Sequence, residues 1–227
     1  MSLSLFVLLV LLAALVRIYW ILPSANTTRG KRKRSTEPRS LAVFLGSGGH
    51  TTEALALVSA LDFSRYIPRT YIISQGDNLS AQKAASLELT KGVLSTKSKD
   101  EYTILKIPRA RRVHQSLLTT PPTAVVALVA CIYHIVIAPF FRKGRPVFAD
   151  VLLVNGPGTC FTLCLGVYVN KFFGLPASQI IYVESFARVK SLSLSGRLLR
   201  PLADRFVVQW PQLLQYKGRG EYHGWLV

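Results

Sequence analysis

Residues 3–22 form an apolar run relieved only by Ser4 and Arg17, and about 20 such residues are what a helix needs to cross the hydrocarbon of a bilayer. Whatever else this chain folds into, its first segment belongs in a membrane. Arg17 is expected to snorkel toward one interface with Tyr19 and Trp20 beside it. A cleaved signal peptide carries its positive charge before the apolar run. Here the charge follows, in Arg29-Gly30-Lys31-Arg32-Lys33-Arg34, and only Ser24-Ala25 resembles a cleavage site. The reading is an uncleaved anchor over residues 1–23 and a basic linker over residues 24–40. The positive-inside rule then puts the carboxyl side in the cytoplasm and Met1 in the lumen.

Half of the residues in the chain are hydrophobic, which excludes wholesale disorder. Its three cysteines, Cys131, Cys160 and Cys164, are an odd set without a CxxC, so reduced thiols acting as small apolar fillers are expected. The net charge is +17. Basic residues recur over 106–112, 142–145 and 188–205, spread along the chain rather than gathered in one arm. No nucleic-acid-binding motif accompanies them. Anionic lipid headgroups fit better, at about 1 kcal/mol per basic side chain near the surface, with a merely solvated basic face as the bland alternative.

From residue 41 short apolar runs alternate with longer helical ones. Strands are expected over 41–45, 70–73, 102–107, 151–154, 180–183 and 205–208. Helices are expected over 51–61, 79–89, 116–141, 159–173 and 192–203, with an exposed loop over 92–101. This βα alternation predicts a Rossmann-like α/β fold, a mainly parallel sheet covered by helices. Residues 123–141 are apolar for long enough to span a membrane, but both flanks are basic. A span there would also set the glycine loops on either side of it in different compartments. The segment is therefore read as a helix of the folded body that lies against the sheet or dips into the interface.

Two glycine-rich loops carry the chemistry. Gly46-Ser47-Gly48-Gly49-His50-Thr51 lies between the first strand and the first helix of the body. Its backbone N–H groups and the helix amino terminus suit a phosphate or diphosphate. Neither the dinucleotide fingerprint nor the P-loop is satisfied. His50 stands where an imidazole can act as a base near neutral pH, against the alternative of a tight turn with glycines for packing alone. The second loop, Asn155-Gly156-Pro157-Gly158-Thr159, follows another strand, and loops at the carboxyl ends of parallel strands line one crevice. Glu184, Ser185 and Arg188 follow the next strand at the same edge, where a Glu–Arg salt bridge is the sober reading. No Asp-x-Asp pair occurs, so a metal-held sugar nucleotide is not indicated.

GSGGHT, LLVNGPGTC, YVESFARVKSLSLSGRLL and ADRFVVQW resemble, in order and spacing, the asparagine-linked-glycosylation protein fourteen family. That family is the membrane-anchor subunit of the split transferase adding the second N-acetylglucosamine to dolichyl-diphosphate-N-acetylglucosamine. The resemblance implies a chain similar to the amino-terminal half of a MurG-type GT-B transferase, over residues 41–227. It implies a soluble catalytic partner, in a heterodimer or larger assembly, that holds most of UDP-N-acetylglucosamine. It further implies an obligate subunit of an inverting, metal-independent enzyme with no cofactor or metal of its own. The expected place is the cytosolic face of the endoplasmic reticulum membrane, nuclear envelope included.

By residue, the resemblance implies that Gly46, Ser47, Gly48 and Gly49 cradle the diphosphate and that His50 is the acceptor-facing base or orienter. Asn155, Gly156, Gly158 and Thr159 would shape the acceptor pocket. Glu184 would bind sugar hydroxyls or hold His50, and Arg188 would neutralise phosphate. Residues 209–227, with Trp210, Tyr222 and Trp225, read as a tail that packs on the body or meets the partner. The alternatives are a membrane-anchored Rossmann oxidoreductase, for which Ser74 to Asp77 make no convincing acidic ribose clamp, or a scaffold with no site residues.

Overall fold

The computed structural model describes residues 2–23, 37–92, 101–111, 115–116, 118–141, 147–156, 158–215 and 218–227. Most of the basic linker, most of the 92–101 loop, the basic residues at 142–145 and Pro157 lie outside them. The apolar run forms one helix, α1 (Leu3–Ile21), none of whose residues is buried. The body that follows is built around a seven-stranded, all-parallel sheet.

In chain order its strands are β1 (Arg39–Leu45), β2 (Tyr66–Ser74), β3 (Tyr102–Ile107), β4 (Val151–Asn155), β5 (Gln179–Val183), β6 (Arg205–Val208) and β7 (Glu221–Tyr222). In space they run β3-β2-β1-β4-β5-β6-β7. The order reverses between β1 and β4, the place where a doubly wound sheet opens a crevice at its carboxyl edge. β1 and β4 are the centre of the sheet: Leu41–Leu45 and Val151–Asn155 are buried throughout, which is why their sequences are continuous apolar runs without alternation.

Helices α2 (Gly49–Ser59) and α3 (Asn78–Gly92) cover one face, over a core that includes Leu41, Val43, Val58 and Ile73. The other face is covered by α4 (Thr120–Ile132), α5 (Thr159–Phe173) and α6 (Leu194–Leu199), over Phe44, Leu152, Leu163 and Phe206. The six strands expected from the sequence all form, and β7 is an addition from the tail. The helix expected to begin at residue 116 begins at Thr120. Pro121 and Pro122 lack backbone N–H groups and fit only in the first turn. The helix expected over 192–203 shrinks to six residues, started by the Ser193 hydroxyl, which accepts from the Gly196 N–H, and stopped before Pro201.

α4 continues through a π turn (Tyr133–Ile137) and a 3₁₀ turn (Ala138–Phe141). It packs along α5, with Cys131 against Thr162 and the Ile135 carbonyl accepting from Asn170 Nδ2 at 3.2 Å. The numbering rises together along both helices, so they run parallel. Ala127, Cys131, Ile135 and Pro139 face inward. Val125, Val126, Val129, Tyr133, Ile137, Phe140 and Phe141 form an exposed apolar stripe. The segment is thus one helix of the body with an unpartnered outer face.

Two polar contacts tie elements together in places that the apolar pattern does not reveal. Arg69 in β2 is 1% exposed, pairs with Glu88 of α3 at 2.7 Å and also meets Glu101. Burial opposes its charge, and the carboxylates outweigh that and hold its pKa above the ordinary value. Arg17, expected to snorkel, instead donates from Nε and Nη2 to the carbonyls of Phe172 and Lys171, each at 2.9 Å. It thereby caps the carboxyl end of α5, where the orphan carbonyls and the helix dipole favour a cation. The three cysteines are buried and unpaired.

Candidate functional site

The loop after β1 turns sharply. Ser47 has φ +67°, rare for a residue with a side chain, and Gly48 has φ +57°, so α2 begins from a strained corner. The space beside the glycines is open: a Cβ built on Gly48, Gly49 or Gly158 would meet nothing within 4 Å. Packing therefore does not require glycine at these three positions. Gly46 is buried under the turn, while Gly48 and Gly49 are exposed. The loop sets the first N–H groups of an eleven-residue helix at the carboxyl end of β1, where the strand order reverses toward β4.

His50, half-buried in the first turn of α2, faces the second loop. Its Nδ1 lies 2.9 Å from Asn155 Oδ1. Asn155, wholly buried at the end of β4, donates from Nδ2 to Glu53 Oε2 at 2.8 Å. Glu53 Oε1 in turn accepts from the Ser185 hydroxyl at 2.8 Å. A single chain of hydrogen bonds thus joins the loops after β1, β4 and β5. Gly156, at φ +124°, closes the contact from the far side: a Cβ there would lie 3.1 Å from His50 Cγ. Both glycine loops and Ser185 converge at one edge.

Glu184 is placed differently from the expectation that it holds His50. It is 1% exposed and accepts from the Ser193 backbone N–H and hydroxyl, the Ser185 N–H and the Tyr182 hydroxyl. These bonds lock the loop after β5 to the start of α6. Burial, followed by the Glu184 charge, drives the Tyr182 phenol far above its ordinary pKa, so it stays a donor. The Glu184–Arg188 salt bridge does not form, because Glu184 is buried while Arg188, four residues on, is exposed. Thr159 is also turned to structural use: it is buried, and its Oγ1 accepts from the Ala110 N–H at 3.2 Å, fastening the loop after β3 to α5. Arg109 and Arg111 lie on that same loop. Asp77, at the end of β2, accepts from the Ser80 N–H and hydroxyl, so its carboxylate starts α3 and is not turned toward a ribose.

A family model described as oligosaccharide biosynthesis protein Alg14 like matches residues 41–226. The chain belongs to the Alg14 family. Among curated relatives, the UDP-N-acetylglucosamine transferase subunit ALG14 of Cryptococcus neoformans is 50% identical over 200 residues, 88% of this chain and 86% of that protein. The protein of that name from Schizosaccharomyces pombe is 46% identical over 213 residues, 94% of this chain and 95% of its own length. That from Rattus norvegicus is 38% identical, covering 86% and 88% respectively. Among solved structures, Arabidopsis thaliana UGT89C1 complexed with quercetin is 14% identical with a TM-score of 0.48, the match covering 84% of this chain and 51% of that one.

Within this Alg14-family chain, Glu53 is the site residue that motif reading passed over. The available signal is its place three residues after His50, on one helix face. The tail is part of the body. β7 extends the sheet, Trp210 Nε1 donates to the Phe186 carbonyl at 2.7 Å, and Gln209 links the Glu184 carbonyl to the Leu226 N–H. Phe186, Trp210 and Trp225 form an aromatic cluster with centroids 5.0–5.9 Å apart. Trp225 nevertheless keeps 65% of its surface exposed, and Tyr222 38%.

Proposed function

We propose that this chain is the membrane-anchored, acceptor-side subunit of a UDP-N-acetylglucosamine transferase. It would bind dolichyl-diphosphate-N-acetylglucosamine at the β1/β4 crevice and recruit a soluble catalytic subunit that holds the nucleotide sugar. The observation carrying this reading is the open glycine edge with His50 fixed beside it, in a chain of the Alg14 family that begins with an apolar helix of spanning length. A GT-B enzyme closes its cleft between two Rossmann-like domains, and this chain supplies one sheet. The loops of Gly48–Gly49 and Gly158 offer backbone N–H groups to a diphosphate, with Arg188 at the rim as counter-charge. His50 takes the proton of the attacking hydroxyl or orients it, and no cofactor or metal enters the scheme.

The body stands on the cytoplasmic side, its exposed α4 stripe in the interface and its basic side chains toward anionic headgroups. Trp225 and Tyr222 are the exposed aromatics that fit a contact with the catalytic partner. The test is transfer by the purified two-subunit complex. His50→Ala should lower turnover by about 100- to 10,000-fold, the usual range for loss of a general base, while partner binding persists. Gly48→Val, which loads a branched side chain onto a positive φ, should raise the acceptor KM as well. Near-wild-type turnover in His50→Ala would take His50 out of the mechanism and leave an acceptor-binding anchor.

A further inference from the structure

We infer that Glu53 is the positioning residue that fixes the tautomer of His50, an inference that rests on the reading of His50 as the group facing the acceptor hydroxyl. The argument is one of donors and acceptors. An ionised carboxylate only accepts hydrogen bonds, so the side of the Asn155 amide facing Glu53 Oε2 at 2.8 Å has to be Nδ2. The flipped amide would set two oxygens against each other beside a fully buried Asn155.

With Nδ2 committed, Oδ1 is what His50 Nδ1 meets at 2.9 Å, and a carbonyl oxygen also only accepts. Nδ1 must therefore carry the hydrogen. In the neutral ring this leaves the lone pair on Nε2, which has no partner among the described residues. The ring stands close to the second loop, since a Cβ added at Gly156 would already lie 3.1 Å from Cγ and 3.4 Å from Cδ2. Glu53 is itself oriented from the third loop, because its other oxygen accepts from Ser185. Information thus passes from Ser185 to Glu53, to the amide of Asn155, and ends as a base-competent nitrogen on the open side of His50. Glu53 acts through Asn155 and need not touch substrate.

The test uses the full chain in lipid nanodiscs with ¹⁵N-labelled histidine and long-range ¹H–¹⁵N correlation. The chain has four histidines, and His50→Gln identifies the relevant signal. The wild type should show neutral His50 with hydrogen on Nδ1. In Glu53→Gln, Ser185, whose oxygen already accepts from the Ala187 N–H, should keep donating to the side-chain oxygen at position 53, which leaves the Gln amide nitrogen facing Asn155 as a donor. That turns the Asn155 amide over and should move the hydrogen to Nε2, whereas Glu53→Asp keeps an acceptor-only carboxylate one methylene further back and should keep the hydrogen on Nδ1. In the complex with its partner, Glu53→Gln should lower kcat by about 10- to 1,000-fold at little change in acceptor KM, with partial rescue in Glu53→Asp. A pure Nδ1–H signal in folded Glu53→Gln, or a pure Nε2–H signal in folded Glu53→Asp, would overturn the inference. Inversion of the tautomer with unchanged kcat would uphold the role of Glu53 and remove His50 as the base.

Discussion

A Cβ added at Gly196 would lie 2.0 Å from Glu184 Oε2, so an alanine there must displace a carboxylate that four donors hold in place. Gly196→Ala should destabilise the protein by about 1–3 kcal/mol, the range for overpacking, seen as a lower midpoint in denaturant unfolding. Gly156→Ala carries a milder clash with the His50 ring plus a backbone at φ +124°. It should lower transfer activity more than stability. The glycines of the two loops were legible in the sequence because strand, glycine turn and helix are consecutive. Glu184 was legible as important but not in its role: its partners Ser193 and Gly196 are brought to it by the fold, whereas the expected partner, Arg188, turns outward. Glu53 was missed because a carboxylate on an amphipathic helix gives no local signal of its contacts with Asn155 and Ser185.

At the scale of elements, apolar patterning identified every central strand, since β1 and β4 are buried on both faces. It misjudged helix ends where proline chemistry intervenes, and it could not foresee β7, two residues whose pairing depends on the Arg205–Glu221 contact across the strands. The Arg69–Glu88 pair joins β2 to α3 in the interior. Glu88→Ala leaves a buried guanidinium with reduced compensation and should cost about 3–5 kcal/mol in chemical unfolding. The Arg17 cap joins α1 to α5. Arg17→Leu should leave the chain resistant to carbonate extraction, yet spin labels on α1 and α5 should report a broadened distance distribution. The α4 stripe gives a separate readout. A chain lacking residues 1–23 should retain weak binding to anionic vesicles, and Val129→Asp with Ile137→Asp, both exposed positions, should abolish it without loss of folding.

For the whole molecule, pH acts on how the tail is held. The hydrogen bond from Arg205 keeps the carboxyl of Glu221 below its usual 4.5. A depressed carboxylate contributes stability that is complete above 4.5 and is lost as pH falls through the folded value. Acidification below 4.5 should therefore loosen β7, read from the fluorescence of Trp210 and Trp225, and Glu221→Gln should remove that step. Topology needs a test other than glycan mapping at Asn78. Asn78-Leu79-Ser80 is an Asn-x-Ser glycosylation sequence, but it opens α3 and its Ser80 is buried with its hydroxyl bonded to Thr51 and Asp77, so a bare Asn78 is expected on either side of a membrane. Reagent access to single cysteines placed on the exposed face of α3 reports the side directly.

Helix α5 has its amino end at the glycine loop of Asn155 and its carboxyl end under Arg17. Fifteen residues make it about 22 Å long, whereas the headgroup layer on each side of a bilayer is only about 6 Å deep. With α5 upright, the crevice would stand far beyond the reach of a sugar carried on a membrane diphosphate. For the acceptor binding proposed above, the body would have to recline, and α4, running parallel to α5 with its apolar side outward from Val125 to Phe141, is the side on which it would lie. On that proposal the anchor sets where the molecule is tethered, the stripe sets its tilt, and together they would lower the crevice to the depth of the acceptor diphosphate.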